Sequence, residues 1–159
     1  IPTDKKIEPG DPITIDMGCK YKGYCSDMTR TIFAGFVPEE IKPIYELVLK
    51  NQKQAIDEMK EGVNLKIISR MVENDFKLHG YDLVHALGHG VGLEIHELPF
   101  MSTKMDFNLK NNMVVTDEPG IYIPNKFGVR IEDTVWVNKG MATVLTRSDK
   151  DYVVVDEAK

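Results

Sequence analysis

Cysteine is nearly missing from this chain: only Cys19 and Cys25 occur in 159 residues. Two are too few for the disulfide frameworks that hold small extracellular domains together, and so close in sequence they could close only a small loop. Both are expected to be free thiols in a reducing compartment. Long apolar runs are missing too, since none approaches the ~18–20 residues that cross a bilayer. No charged-then-apolar leader opens the chain, so the expected location is cytoplasmic and no membrane partner is expected. An excess of positive charge is also lacking: 20 Lys and Arg face 25 Asp and Glu, for a net charge of −5. That balance gives no electrostatic footprint for nucleic acid or an anionic membrane surface. What remains is an ordinary globular composition, 42% hydrophobic and 28% charged, with a length that fits one domain and no repeats or low-complexity linkers.

The opening Ile1-Pro2-Thr3-Asp4 reads as a loop. Ile13–Met17 and Tyr24–Phe33 are β-prone runs separated by a polar turn ending in Gly23, which predicts a hairpin. Pro38-Glu39-Glu40 then opens a segment with apolar residues at Ile41, Ile44, Tyr45, Val48, Ala55, Ile56 and Met59, the three-and-four spacing of a helix. Pro43 belongs in its first turn, where a missing N–H is tolerated. Asn64 is the expected cap of a second helix with Leu65, Ile68, Val72 and Phe76 on one face and Gly80 as its stop. From His85 to Glu97, glycines at 88, 90 and 92 suit a strand with close backbone approach rather than a helix. Residues 113–123 and 128–137 predict a second hairpin around Pro124-Asn125-Lys126-Phe127, its last strand ending in the only tryptophan, Trp136.

The acidic residues fall in a pattern. A first turn centred between Tyr21 and Lys22 would set Asp16 opposite Asp27, and a second centred on Asn125 would set Glu118 opposite Glu132. Facing carboxylates on a sheet have Cβ atoms about 4.5–5.5 Å apart and repel unless a cation lies between them. Asp16, between Ile15 and Met17, and Glu132, after Val129 and Ile131, lie in segments suited to burial, where acids need partners. Four carboxylates and one histidine would form a mixed site of the kind that holds two divalent ions about 3.5–4 Å apart. His79, beside Gly80 at a helix end, is assigned a capping or dipole role. His85, His89 and His96 share one glycine-rich stretch, and the glycines flanking His89 make it the expected ligand. In this register Cys25 shares a face with Asp27, while Cys19 points the other way.

The runs Ile15-Asp16-Met17-Gly18, Gly23-Tyr24-Cys25-Ser26-Asp27-Met28-Thr29-Arg30-Thr31, His85 through Glu97, Glu118-Pro119-Gly120-Ile121-Tyr122-Ile123-Pro124 and Gly128-Val129-Arg130-Ile131-Glu132-Asp133 resemble the signatures of the aminopeptidase P and prolidase family. The resemblance extends from about Pro9 to Thr146. It implies the pita-bread α/β (α+β) fold, with residues 1–159 as a catalytic metallopeptidase domain that is N-terminally incomplete. It also implies two divalent ions, most often Mn2+ with Co2+ or Zn2+ as alternatives, held by Asp16, Asp27, His89, Glu118 and Glu132, with Asp27 and Glu132 bridging both. Asp117 departs from the pattern, which commonly has an apolar residue there, and is expected to face solvent.

The activity implied is hydrolysis of the Xaa-Pro bond in dipeptides or at peptide N-termini, by water activated between the two ions. Glu118 would serve as general base, and His96, Arg130 and His85 would hold substrate or stabilise the oxyanion. Arg130, two residues before Glu132 and on the same strand face, could equally serve as a plain ion-pair partner. The partner implied is a peptide with proline at its second position, with a homodimer formed through regions of the full-length protein. Two alternatives stay open: a methionine aminopeptidase-like enzyme, and a peptide-binding module of the same fold without catalysis.

Overall fold

The computed structural model describes residues 4–138 and 140–156; the loop expected over residues 1–3 falls outside them. The elements run β1 (Pro12–Met17), β2 (Lys20–Tyr21), β3 (Tyr24–Cys25), β4 (Met28–Ala34), α1 (Lys42–Glu58) and α2 (Leu65–Leu78). They continue with β5 (Gly88–Gly90), β6 (Glu97–Met101), β7 (Val114–Asp117), β8 (Gly120–Ile123), β9 (Phe127–Arg130), β10 (Asp133–Asn138), β11 (Met141–Val144) and β12 (Val154–Val155). A five-stranded sheet has the order β11-β10-β7-β5-β6 and a three-stranded sheet the order β1-β4-β12, with β2-β3 and β8-β9 as small separate ribbons.

The first hairpin forms, but its register differs from the expected one. Asp16 lies opposite Thr29, not Asp27, and Tyr21 opposite Tyr24. The turn is centred one residue later, on Lys22 and Gly23, with φ values of 49° and 89°. Positive φ at both central positions gives the twist that two-residue hairpins favour, and glycine reaches it without strain. Moving the centre by one residue moves each cross-strand partner by two. Because side chains alternate with period two, Asp27 stays on the face of Asp16, now as its diagonal neighbour.

Helix α1 begins at Lys42, four residues later than expected, because the Pro38 carbonyl accepts from the N–H groups of Ile41 and Lys42 in a turn. Pro43 sits in the first turn as expected. Asn64 caps α2 by accepting from Lys66 N–H at 3.0 Å, and Leu65, Ile68, Val72 and Phe76 are buried. His79 is the C-cap residue, its Nδ1 2.8 Å from the Asp75 carbonyl. The two helices pack on each other, with α1 against β7, β8, β9 and β11 and α2 against β6.

The second hairpin has the expected register, with Gly120 opposite Arg130 and Asp117 opposite Asp133. Each long strand is nevertheless cut in two, at Glu118-Pro119 and at Ile131-Glu132, so that β7 and β10 belong to the large sheet while β8 and β9 form a separate ribbon. Pro119 has no N–H to give to a ladder. At this corner the Glu118 N–H turns to the Leu87 carbonyl at 2.7 Å, and the Glu132 N–H to the Thr29 carbonyl at 3.0 Å. The glutamates thus tie the hairpin to the segment before β5 and to β4. Strand β5 passes close to β7: a Cβ on Gly88 would lie 2.0 Å from the Thr116 carbonyl oxygen.

Two expectations about burial are corrected. Asp117, expected at the surface, is fully buried, because α1 covers the face of β7 away from Glu118. Asp16, in a segment read as suited to burial, has a side chain that is 54% exposed, since β1 is an outer strand of its sheet.

Candidate metal centre

Five acidic and imidazole side chains converge from separate elements: Asp16 on β1, Asp27 just before β4, His89 within β5, Glu118 just after β7 and Glu132 just before β10. Three donor groups, Asp16 with Asp27 and Glu132, His89 with Glu118 and Glu132, and Asp27 with His89 and His96, each bring ligand atoms within 4.8 Å of one another. They share members, so the residues singled out in the sequence form one continuous cluster. His89 Nε2 lies 3.6 Å from Asp27 Oδ2 and 3.5 Å from Glu118 Oε1. Its Nδ1 lies 2.9 Å from the Gly90 carbonyl, an acceptor that requires the proton on that nitrogen. Nε2 is the nitrogen that faces the carboxylates, the orientation of an imidazole whose other nitrogen is held by a backbone carbonyl.

Asp27, His89 and Glu132 are buried. Burial pushes the Glu132 carboxyl up to about 8, against a hydrogen bond from Thr29, with Glu118 and Asp27 adding repulsion. Burial likewise pushes Glu118 up to about 7, against the pull of Arg130. Asp27 is raised by burial and by Asp16. Acids this crowded must hold protons or cations near neutral pH. Hard carboxylate oxygens with one imidazole suit a divalent ion such as Mn2+, Co2+ or Zn2+, so the donor set fits the expected metal.

A second line of contacts runs away from the cluster. Arg130 reaches Asp16 Oδ2 from Nη2 at 2.7 Å, Thr29 Oγ1 from Nε at 3.2 Å and the Tyr122 hydroxyl from Nη1 at 2.9 Å. The Tyr122 hydroxyl is 2.9 Å from His85 Nε2, and His85 Nδ1 is 2.7 Å from the Ala86 carbonyl. With Nδ1 protonated, Nε2 accepts from Tyr122, which in turn accepts from Arg130. His85, whose pKa is lowered by burial, therefore stands outside the cluster and is joined to Asp16 through two side chains. His96 is exposed on the open side, its ring centroid 4.4 Å from that of His89.

Two participants were not legible in the sequence. Thr29 Oγ1 donates to Glu132 Oε2 at 2.6 Å and so orients that carboxylate; the only signal was its place two residues after Asp27. Tyr122 links Arg130 to His85, yet a tyrosine in a β-prone run carries no mark of such a role.

A carboxylate-rich cluster with one imidazole among its donors, set where a small ribbon meets a sheet in a mixed α/β fold, marks a candidate divalent-metal site on a fold of the pita-bread type. The chain belongs to metallopeptidase family M24, whose model matches residues 1–139. It is 46% identical over 155 residues to the Xaa-Pro dipeptidase of Pyrococcus furiosus, covering 96% of this chain and 44% of that protein. Among solved structures it resembles a prolidase from Thermococcus sibiricus (TM-score 0.94, 39% identity, 98% of this chain and 43% of that one). It also resembles an X-Pro aminopeptidase from Thermotoga maritima (TM-score 0.92, 39% identity, 96% and 44%). The chain thus spans less than half the length of these relatives. Among the described residues, no helix is long and apolar enough to cross a membrane.

Proposed function

We propose that the full-length protein carrying this chain hydrolyses the peptide bond before proline, in Xaa-Pro dipeptides or at peptide N-termini, and that residues 1–159 belong to its catalytic domain. The observation that carries this reading is His89 Nε2 facing Asp27 Oδ2 and Glu118 Oε1 at 3.6 and 3.5 Å within a cluster of acids. Asp16, Asp27, His89, Glu118 and Glu132 would hold two divalent ions. Manganese is the ion favoured by a set of four carboxylates and one imidazole. Such ions supply hydroxide from water near neutral pH and polarise a carbonyl.

The remaining steps fall to the chain's own groups. Glu118 would take a proton at one oxygen and pass it to the departing nitrogen of proline, as a general base turned general acid does. His96, exposed beside His89, would donate to the carbonyl oxygen as charge develops there. Arg130 is held between Asp16 and Tyr122 and keeps Asp16 oriented. His85 acts through Tyr122. The relatives include proteins named for dipeptidase and for aminopeptidase activity, and both substrate lengths belong to the proposal. Two free thiols, Cys19 and Cys25, agree with a reducing, cytoplasmic setting.

The test is an assay of the Mn2+-loaded full-length protein on an Xaa-Pro dipeptide, a longer Xaa-Pro peptide, an Xaa-Ala control and a Met-Ala peptide. Cleavage confined to bonds before proline and abolished by a chelator is expected. Preferred cleavage after methionine would establish the methionine aminopeptidase alternative, and binding without cleavage the non-catalytic one.

A further inference from the structure

The family match ends at residue 139, yet the segment that follows is tied into the ground beneath the metal centre. Arg30, buried within β4, spends all five of its N–H donors on three parts of the chain. Nη1 donates to the Glu132 carbonyl at 2.5 Å and to the Thr29 carbonyl at 2.9 Å. Nη2 donates to Asp133 Oδ1 at 2.8 Å and to the Ser148 carbonyl at 2.9 Å, and Nε to the Asp149 carbonyl at 3.0 Å. Guanidinium has five donors in a fixed fork, so none is left over.

Asp133, next to Glu132, is saturated in the same way. Its Oδ1 accepts from Arg30 and from Thr146 Oγ1 at 2.8 Å. Its Oδ2 accepts from Gln52 Nε2 at 2.9 Å and from Lys150 Nζ at 2.7 Å. Lys150 also reaches Gln52 Oε1 at 3.1 Å, and its own carbonyl accepts from the Tyr45 hydroxyl at 3.0 Å. Two cations thus compensate one fully buried carboxylate, and one of them comes from the segment beyond the family match.

We infer that Lys150 is a positioning residue for Glu132, acting through Asp133 and Arg30. The coupling follows from the hydrogen-bond geometry. Arg30 grips the carbonyls of Glu132 and Thr29 together, while Thr29 Oγ1 fixes the Glu132 carboxylate and Asp27 lies two residues before Thr29. The separation of Asp27 from Glu132 therefore depends on Arg30 staying in place. With Lys150 gone, Asp133 keeps a single cationic partner and draws Arg30 toward itself at the expense of the Glu132 carbonyl. Groups outside the ligand set that orient ligands typically change metal affinity 10–100-fold when lost.

This inference rests on the proposed metal centre, and the test separates the two. Mn2+ is titrated calorimetrically into the metal-free full-length protein, with far-UV circular dichroism as the check on folding. Lys150→Met is expected to weaken Mn2+ binding about tenfold or more, and Lys150→Arg to restore most of it. Tyr152→Phe, which removes a contact of the same segment to Glu46 without touching Asp133, is expected to bind Mn2+ as the wild type does. If Lys150→Met does not fold, Thr146→Val, which removes one donor from Asp133, is expected to weaken binding in the same direction. Wild-type affinity in a folded Lys150→Met or Thr146→Val protein would overturn the positioning role. No Mn2+ uptake by the wild-type protein would overturn the metal centre itself.

Discussion

Asp117 and Asp133 lie directly opposite each other in the β7–β10 ladder, each one residue from a glutamate of the proposed metal centre, and only Asp133 is satisfied. Both are fully buried. Among the described residues neither oxygen of Asp117 has a hydrogen-bond partner. Burial, and then repulsion from Asp133, pushes the Asp117 carboxyl well above the usual carboxylate range.

Asp117→Val should therefore stabilise the metal-free protein, by about 1–3 kcal/mol at neutral pH, the typical cost of an unsatisfied buried polar group. An acid with a raised folded pKa gives stability that is present below its unfolded pKa and lost as pH rises through the folded value. The gap in melting temperature between variant and wild type should widen from pH 5 to pH 8. A gap that narrows over this range would contradict the account of Asp117.

The centre itself makes a second pH prediction. Glu118 at about 7 and Glu132 at about 8 are raised above their ordinary values, chiefly by burial. The metal-free protein should lose stability as pH rises from the ordinary range of a glutamate through these values. Mn2+ binds the deprotonated ligands, so its stabilising effect should grow over the same window. Thermal melts with and without saturating Mn2+ at pH 6 and pH 8 check this; an equal or smaller increment at pH 8 would contradict it.

Tyr122 should matter through its hydroxyl alone. Hydrogen bonds to charged groups contribute about 1.5–3 kcal/mol, so Tyr122→Phe should lower kcat/KM on an Xaa-Pro dipeptide roughly tenfold or more, with metal content unchanged. Gly128→Ala should act in the same direction, because its Cβ would lie 2.6 Å from the Tyr122 ring and push the hydroxyl away from Arg130. Wild-type turnover in Tyr122→Phe would remove the Arg130 to His85 connection from the mechanism.

The thiols should titrate as two per unfolded, non-reduced chain, since both cysteines are free. In the folded protein Cys19, exposed, should react before Cys25, which is partly covered and 3.7 Å from the Leu93 carbonyl. Finding no free thiol would contradict the structure of the β2–β3 ribbon as well as the reducing setting.

The sequence was informative where one local rule decided the outcome. Symmetry about Asn125 gave the second register, the glycines around His89 marked the tight approach of β5 to β7, and Asn64 announced its helix. The register of the first hairpin differs by one residue at its turn because Lys22 adopts positive φ, which residue type alone does not announce. Asp117 is expected at the surface, yet whether its side of β7 is solvent or core depends on where α1 packs, which no local pattern records. Arg30 and Lys150 were opaque for another reason: Arg30 meets Asp133 and Asp149 across more than a hundred residues, and no local pattern records such a meeting.

The central claim is that Asp16, Asp27, His89, Glu118 and Glu132 hold two ions between them. Elemental analysis of the full-length protein, loaded with Mn2+ and desalted, tests it most directly, with His89→Ala measured alongside. About two ions per wild-type chain, falling clearly in the variant, are expected from the dinuclear arrangement. A reproducible value near zero in the wild type, with every ligand present and the protein folded, would contradict it.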